Sequence, residues 1–167
     1  MSEPAVIRAA TIDDATAIAA IYNHYITDTT VTFEETPIDA VEMAARMHDV
    51  TDAGLPWLVT EFDNTILGYA YATKWRTRIG YRFSVESSIY LAPSAVGRRL
   101  GTPLYQALLA ALRERPIHSV IGGIALPNDA SIALHERLGF AEVAHFREVG
   151  QKFGQWIDVG YWQVVWP

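Results

Sequence analysis

The sequence predicts a single α/β domain over residues 1–167, with a mixed, largely antiparallel central sheet flanked by helices in the order βααβββαβαββ. Three observations predict it. The chain has 167 residues, half of them apolar, which suffices for one sizeable core and falls short of two. Segments with strand periodicity alternate with segments of helical periodicity, so helices cover the faces of a sheet. Short turn signals join several strands directly, which makes their pairing antiparallel. No internal repeat, low-complexity tract or linker interrupts the order.

Val6 to Ala9 reads as a short first strand. Thr11-Ile-Asp-Asp14 resembles a capping box and opens a helix from Asp13 to about Thr27, with Ile18, Ile21, Tyr22 and Tyr25 on one face. Thr29 to Phe33 is β-branched and reads as a short extended segment. Pro37 introduces a second helix through Val41, Met43 and Met47, which Gly54 and Pro56 end. Trp57 to Phe62 and Ile66 to Thr73 flank Asp63-Asn64-Thr65 as a hairpin, and Tyr81 to Leu91 extends the meander. Leu104, Leu108, Leu109 and Leu112 mark the next helix, whose start is fixed by Pro103 because proline is tolerated only in a first turn. His118 to Ala125 is a nearly continuous apolar strand. Pro127-Asn128-Asp129 then leads to a helix ending at Gly139, where a left-handed residue is expected. Phe140 to Val149 and Trp156 to Val165 form a last hairpin around Lys152-Phe-Gly154.

The stretch ESSIYLAPSAVGRRLG, residues 86 to 101, carries the most chemistry. A strand that delivers a glycine-containing loop to a helix N-terminus aims unpaired N–H groups and the positive end of the helix dipole at one place, as a pyrophosphate site does. The loop lacks the Lys-Ser/Thr ending of a P-loop and has too few glycines for a dinucleotide fingerprint. The alternative is an ordinary strand-to-helix turn.

Composition narrows the partners. Thirteen basic against nineteen acidic side chains give a formal charge of −6, which disfavours nucleic acid or an anionic membrane surface and favours a small molecule or a protein. No apolar run approaches the ~20 residues that span a bilayer, and residues 1–10 lack the apolar core of a signal peptide, so a cytoplasmic chain is expected. The absence of cysteine excludes thiolate zinc sites, iron–sulfur clusters and a cysteine acyl-enzyme. Five histidines, at 24, 48, 118, 135 and 145, show no metal-ligand pairing, and no metal is expected.

The element order and eight segments resemble the GNAT N-acetyltransferase superfamily over essentially the whole chain, and within it the phosphinothricin and methionine sulfoximine N-acetyltransferases. The segments are IRAAT (7–11), NHYI (23–26), TTVTFEE (29–35), PWLVTE (56–61), GYAYATKWRTR (68–78), YRFSVESSIYL (81–91), LPNDASIALHERLGF (126–140) and GQWIDVGYWQ (154–163). The resemblance implies a GNAT-like fold, acetyl-CoA as donor and the α-amino group of a small amino acid or analogue as acceptor. The tryptophans and tyrosines of 156 to 166 read as core or dimer-interface surface rather than a ligand box, and a homodimer is expected.

In one place the chain departs from the family pattern. The acetyl-CoA loop of the superfamily reads Gln/Arg-x-x-Gly-x-Gly/Ala, and the matching residues are Val96, Gly97, Arg98, Arg99, Leu100 and Gly101, followed by Thr102. Arg99 replaces the first glycine. Backbone amides still cradle a pyrophosphate if the loop keeps its shape, and two arginines add charge-assisted bonds; alternatively, Arg99 needs room that the glycine form lacks.

Acetyl transfer to an amine needs a neutral nitrogen near the thioester carbonyl, a route for the departing proton and stabilisation of the oxyanion. Direct attack in a ternary complex is expected. Glu86 stands mid-strand among apolar and small residues, where burial raises a carboxylate pKa towards a useful range. It is either the general base, acting directly or through water, or a structural glutamate paired with an arginine of residues 76 to 82. The family likeness favours the base. Arg76 and Arg78 alternate with Trp75 and Thr77, so both guanidinium groups could turn to one side and hold an α-carboxylate, with Trp75 and Phe33 walling the side chain. A solvated basic loop is the plainer alternative. Ser87 and Ser88 complete the acceptor site that the likeness implies. Asn128 reads as an N-cap, and the matching family residue also bonds the pantetheine arm. Ile89, Tyr90 and Leu91 are expected to lend backbone groups to that arm. His135 occupies a position where the family protonates the leaving thiolate, although a lone helix histidine more often packs. Two other readings stay open: an acyl-CoA-binding module with little turnover, and the same chemistry on a different amine, such as a protein N-terminus or an antibiotic.

Overall fold

The computed structural model describes residues 4–167. The elements follow in the expected order: β1 (Val6–Ala9), a 3-10 turn (Ile12–Asp14), α1 (Ala15–Asp28), α2 (Ala40–Asp52), β2 (Trp57–Phe62), β3 (Thr65–Lys74), β4 (Ser84–Leu91), α3 (Gly101–Arg113), β5 (Ser119–Ala125), α4 (Asp129–Arg137), β6 (Ala141–Lys152) and β7 (Gln155–Val165). The seven strands form one sheet, ordered β1-β2-β3-β4-β5-β7-β6. All neighbours are antiparallel except β4 and β5.

Local chemistry sets the element boundaries. The Asp14 carboxylate accepts the Thr11 N–H at 2.8 Å, which satisfies a donor that the helix start leaves free. Asp39 caps α2 by accepting the Glu42 N–H. Asp63 and Asn64 both take positive φ between β2 and β3, the geometry that lets a two-residue turn follow the twist of its strands. Gly139 has φ +90 just beyond α4, as a left-handed helix end requires.

Three expectations are corrected. Thr29 to Phe33 bends instead of extending, because Thr29 Oγ1 donates to the Tyr25 carbonyl at 2.8 Å and accepts the Val31 N–H at 3.2 Å. These local bonds outcompete the β preference of the residues. The strand expected from Tyr81 begins at Ser84, since residues 79–81 close a 3-10 turn through the Tyr81 N–H to the Arg78 carbonyl. The sixth strand runs on to Lys152, with register shifts between Glu142 and Ala144 and between Phe146 and Gly150.

The centre of the sheet is covered on both faces, whereas β6 is largely exposed. Trp57, Tyr69, Tyr71 and Tyr90 form an aromatic layer under α1 and α2. On the other face Tyr105 of α3 and His135 of α4 pack against Phe140. Burying large aromatic rings on each side supplies the core with ~1.5–3 kcal/mol per side chain.

Candidate active site

The parallel pair gives the fold its opening. β4 and β5 pair only over Ser84 with Ser119, Val85 with Val120 and Glu86 with Ile121, although β4 continues to Leu91 and β5 to Ala125. Beyond Glu86 the strands part, and their facing edges carry backbone groups that no ladder satisfies. The cleft between them is narrow, about 50 Å³, and is lined by Val31, residues Ser87 to Tyr90, Gly123 to Ala125, Asn128, Ser131 and His135. It thus brings together Ser87, Ser88, Ile89, Tyr90, Asn128 and His135 from the sequence expectations. Asn128 Oδ1 caps α4 by accepting the Ser131 N–H at 3.1 Å. Its amide N–H groups remain for a ligand.

The loop after β4 ends at the N-terminus of α3. Gly97 and Arg99 have φ +81 and +61, so Arg99 adopts the conformation natural to the glycine it replaces. Among the described residues, no acceptor bonds the backbone N–H groups of Arg99, Leu100, Gly101 and Thr102. These donors and the helix dipole suit an anion. Exposed cations lie around them: Arg98 stands over the Phe62 ring, and Arg137 Nη1 donates to Thr102 Oγ1 at 3.2 Å. Leu91, where β4 ends, accepts the Tyr25 hydroxyl with its carbonyl.

Glu86 belongs to the last paired position before the cleft and faces the α1/α2 side, across from Thr73 on β3. It is half-buried, and no donor among the described residues bonds its carboxylate or forms an ion pair with it. Burial raises its pKa above the ordinary carboxylate value, and Arg76 pulls it partly back. A raised carboxylate with free lone pairs is equipped to take a proton. A Cβ on Gly123 would lie 3.5 Å from Glu86 Oε1 and 3.1 Å from the Tyr161 ring, so the missing side chain leaves approach space at Glu86.

Arg76 lies over Trp75, with Cζ 4.6 Å from the ring centroid, and Trp75 meets Tyr161 edge to face. Thr77 and Arg78 are exposed, and Arg78 leads into the 3-10 turn. Arg76 is therefore the cation nearest Glu86 by its effect, and Arg78 stands further along the loop. Phe33 lies on Gly150, whose missing Cβ leaves the ring its place. The segment carrying Phe33 is tied down by Lys152, a buried ammonium that donates to the carbonyls of Thr32 at 2.7 Å and Tyr25 at 3.3 Å.

His135 is buried and both its ring nitrogens are engaged, Nδ1 with the Ser131 carbonyl at 2.7 Å and Nε2 with the Tyr105 hydroxyl at 3.0 Å. Burial holds its pKa below the ordinary value, against the Ser131 carbonyl, which favours the charged ring. Tyr105 in turn meets Ser87 Oγ at 2.5 Å. Sequence reasoning missed Tyr105, Tyr161 and Lys152. The available signals were a hydroxyl within the apolar stripe of α3 and a lysine inside an apolar hairpin, each of which demands a partner when buried.

A larger hollow of about 220 Å³ lies beneath α2, lined by Tyr22, Met43, Arg46, Trp57, Tyr69, Tyr71 and Thr73 among others. Arg46 there is neutralised by Glu34 and Glu42. The smaller cleft is the better candidate for chemistry, since unpaired strand edges line it and Glu86 stands in the β4–β5 pair next to its opening.

A family model described as an acetyltransferase (GNAT) domain matches residues 7–160. A phosphinothricin N-acetyltransferase of Alcaligenes faecalis is 45% identical over 153 residues, 91% of this chain and 78% of that protein. An L-methionine sulfoximine/L-methionine sulfone acetyltransferase of Pseudomonas aeruginosa is 38% identical over 161 residues, 96% of this chain and 94% of that protein. The crystal structure of a phosphinothricin acetyltransferase from Sinorhizobium meliloti, in complex with acetyl-CoA, superimposes with a TM-score of 0.94 at 35% identity, covering 98% of this chain and 89% of that one.

Proposed function

The chain belongs to the GNAT acetyltransferase family, and from that premise we propose that it transfers an acetyl group from acetyl-CoA to the α-amino group of a small amino acid or analogue of the phosphinothricin or methionine sulfoximine type. The observation that carries this reading is the position of Glu86 in the last β4–β5 pair, where the open strand edges and a proton acceptor meet.

The unpaired edges of β4 (Ile89, Tyr90, Leu91) and the side chain of Asn128 bind the pantetheine arm. The N–H groups of residues 99–102, with Arg98 and Arg99, hold the pyrophosphate. Acetyl-CoA supplies an activated acyl carbon at the head of the cleft. Glu86 accepts a proton from the acceptor ammonium, directly or through one water, and the freed nitrogen attacks the thioester carbonyl. The C–N bond forms, the C–S bond breaks, and the thiolate leaves with a proton returned to it. Arg76, and beyond it Arg78, fix the acceptor α-carboxylate, while Phe33 and Trp75 wall its side chain.

The same reading takes residues 1–167 as one acetyltransferase domain, working in the cytoplasm as a homodimer. No helix of the described residues is long and apolar enough to cross a membrane. Exposed Phe146, Val149, Phe153 and Trp156 on the β6–β7 hairpin support self-association through an apolar face. Phe146→Glu with Trp156→Glu should convert a two-chain mass to a one-chain mass in light scattering.

The deciding experiment is thiol release from acetyl-CoA against phosphinothricin, methionine sulfoximine, methionine sulfone and the common amino acids, each beside its carboxamide. Free acids should be acetylated far faster than amides, because a guanidinium left without its charged partner forfeits most of the binding. Equal rates on amides or peptide N-termini would overturn the amino-acid assignment. Binding of acetyl-CoA without turnover on any amine would leave only a binding module.

A further inference from the structure

Ser87 of β4, Tyr105 of α3 and His135 of α4 are joined by hydrogen bonds just beneath the point where β4 and β5 part. The chain of bonds has a direction. The Ser131 carbonyl can only accept, so on the neutral ring His135 Nδ1 carries the proton and Nε2 offers a lone pair. Tyr105 has one proton and gives it to Nε2. Ser87 must therefore donate to the Tyr105 oxygen. Every proton in the chain is handed on from Ser87 towards the Ser131 carbonyl, and Ser87 Oγ is left with only lone pairs to present. Burial, which keeps the ring neutral, preserves that direction.

The same side chains pack on the face of the sheet where its two strands part. A Cβ on Gly122 would lie 2.5 Å from His135 Nε2, so the ring rests against the β5 backbone at the residue after its last pairing with β4. Tyr105 bridges from there to Ser87, the residue after the last pairing on β4.

We propose that Tyr105 and His135 are positioning residues that turn Ser87 Oγ into an acceptor for an amide N–H of the pantetheine arm. The inference rests on the reading that acetyl-CoA lies in this cleft. The arm donates through two amide N–H groups and, farther from the thioester, its pantoyl hydroxyl, and the thioester sulfur has no proton to give.

Calorimetric titration of acetyl-CoA and of CoA into the wild type, Ser87→Ala, Tyr105→Phe and the double variant tests it, together with kcat at saturating donor. Each single substitution should weaken both ligands about 2- to 13-fold, the net worth of one hydrogen bond. The double variant should bind no more weakly than Ser87→Ala, because Tyr105 acts through Ser87. Nitrogen-15 NMR of the imidazole should show the Nδ1-protonated neutral ring, a readout available from the wild type whether or not a variant folds. Unchanged affinity beside a lowered Tm would reduce the chain to packing, and additive losses would separate Tyr105 from Ser87. A fall in kcat with affinity intact would move Ser87 to the leaving sulfur, and an Nε2-protonated ring would reverse the direction. Each of these overturns the proposal. Failure of the wild type to bind acetyl-CoA would instead remove the cleft reading beneath it.

Discussion

At Glu86 burial acts on rate and on stability with opposite signs. Its folded pKa is raised, so the folded state holds the proton more tightly than the unfolded chain. The stability this confers is full below the unfolded value and is lost as pH rises through the folded one. Turnover runs the other way, because the base must be ionised. The acid limb of the rate profile should therefore lie above the usual carboxylate range. Glu86→Gln should abolish that limb and lower kcat by about 10²- to 10⁴-fold. Its melting temperature at neutral pH should equal or exceed that of the wild type, as calorimetry can check, and acetyl-CoA affinity should be unchanged. A wild-type rate profile in the variant would remove Glu86 from the mechanism. Arg99 poses a different question. Its φ of +61 shows the loop already in its glycine form, so Arg99→Gly relieves roughly 1 kcal/mol of left-handed strain. The freer unfolded chain offsets most of that gain. Stability should move by less than about 1 kcal/mol, while acetyl-CoA affinity falls and loses part of its salt dependence as a phosphate contact disappears. Tighter binding by titration would instead mark Arg99 as an obstruction.

Among the elements, β5 and α3 carry the two glycines that separate structural from ligand-directed crowding. Gly122→Ala drives a methyl group into a His135 ring that is bonded at both nitrogens. It should cost about 1–3 kcal/mol of stability as an overpacked site. Gly101→Ala meets only ordinary contacts, 3.6 Å from Leu134 and from Leu91. It should leave Tm alone and weaken acetyl-CoA, since the new methyl group stands beside the free N–H groups of the α3 start. An unchanged dissociation constant for Gly101→Ala would place the pyrophosphate elsewhere. The helices and strands were legible in the sequence because caps, turn residues and apolar periods are local signals. Asp14, Asn64 and Gly139 each mark their boundary by chemistry within a few residues. Thr29 to Phe33 misled because β propensity reports side-chain shape, whereas its threonines spend their hydroxyls on nearby backbone. Glu86 stood out as a carboxylate in an apolar strand. The Ser87–Tyr105–His135 chain did not, because its partners are 18 and 30 residues apart and no local pattern joins them.

For the molecule as a whole, the short β4–β5 ladder divides the sheet along the sequence. Residues up to Leu91 build β1 to β4, residues from Ser119 build β5 to β7, and three ladder pairs, with the His118 and Ser119 N–H bonds to the Phe83 carbonyl, stitch the two sub-sheets together. Tyr25 ties the first half to both ends of the site, its hydroxyl on the Leu91 carbonyl and its own carbonyl under the Lys152 ammonium. Such a joint is a seam, and a seam opens before cloth tears. Without ligand, amides along residues 87–91 and 122–125 that face the gap should exchange hydrogen faster than those deeper in β3 and β7, with slow strand-centre protection returning on addition of acetyl-CoA. Equal protection across the sheet in the free protein would show that the halves hold without help. If the seam does open, the donor molecule is also the missing thread of the sheet, and a cell short of acetyl-CoA would hold this protein in a looser, more easily proteolysed form.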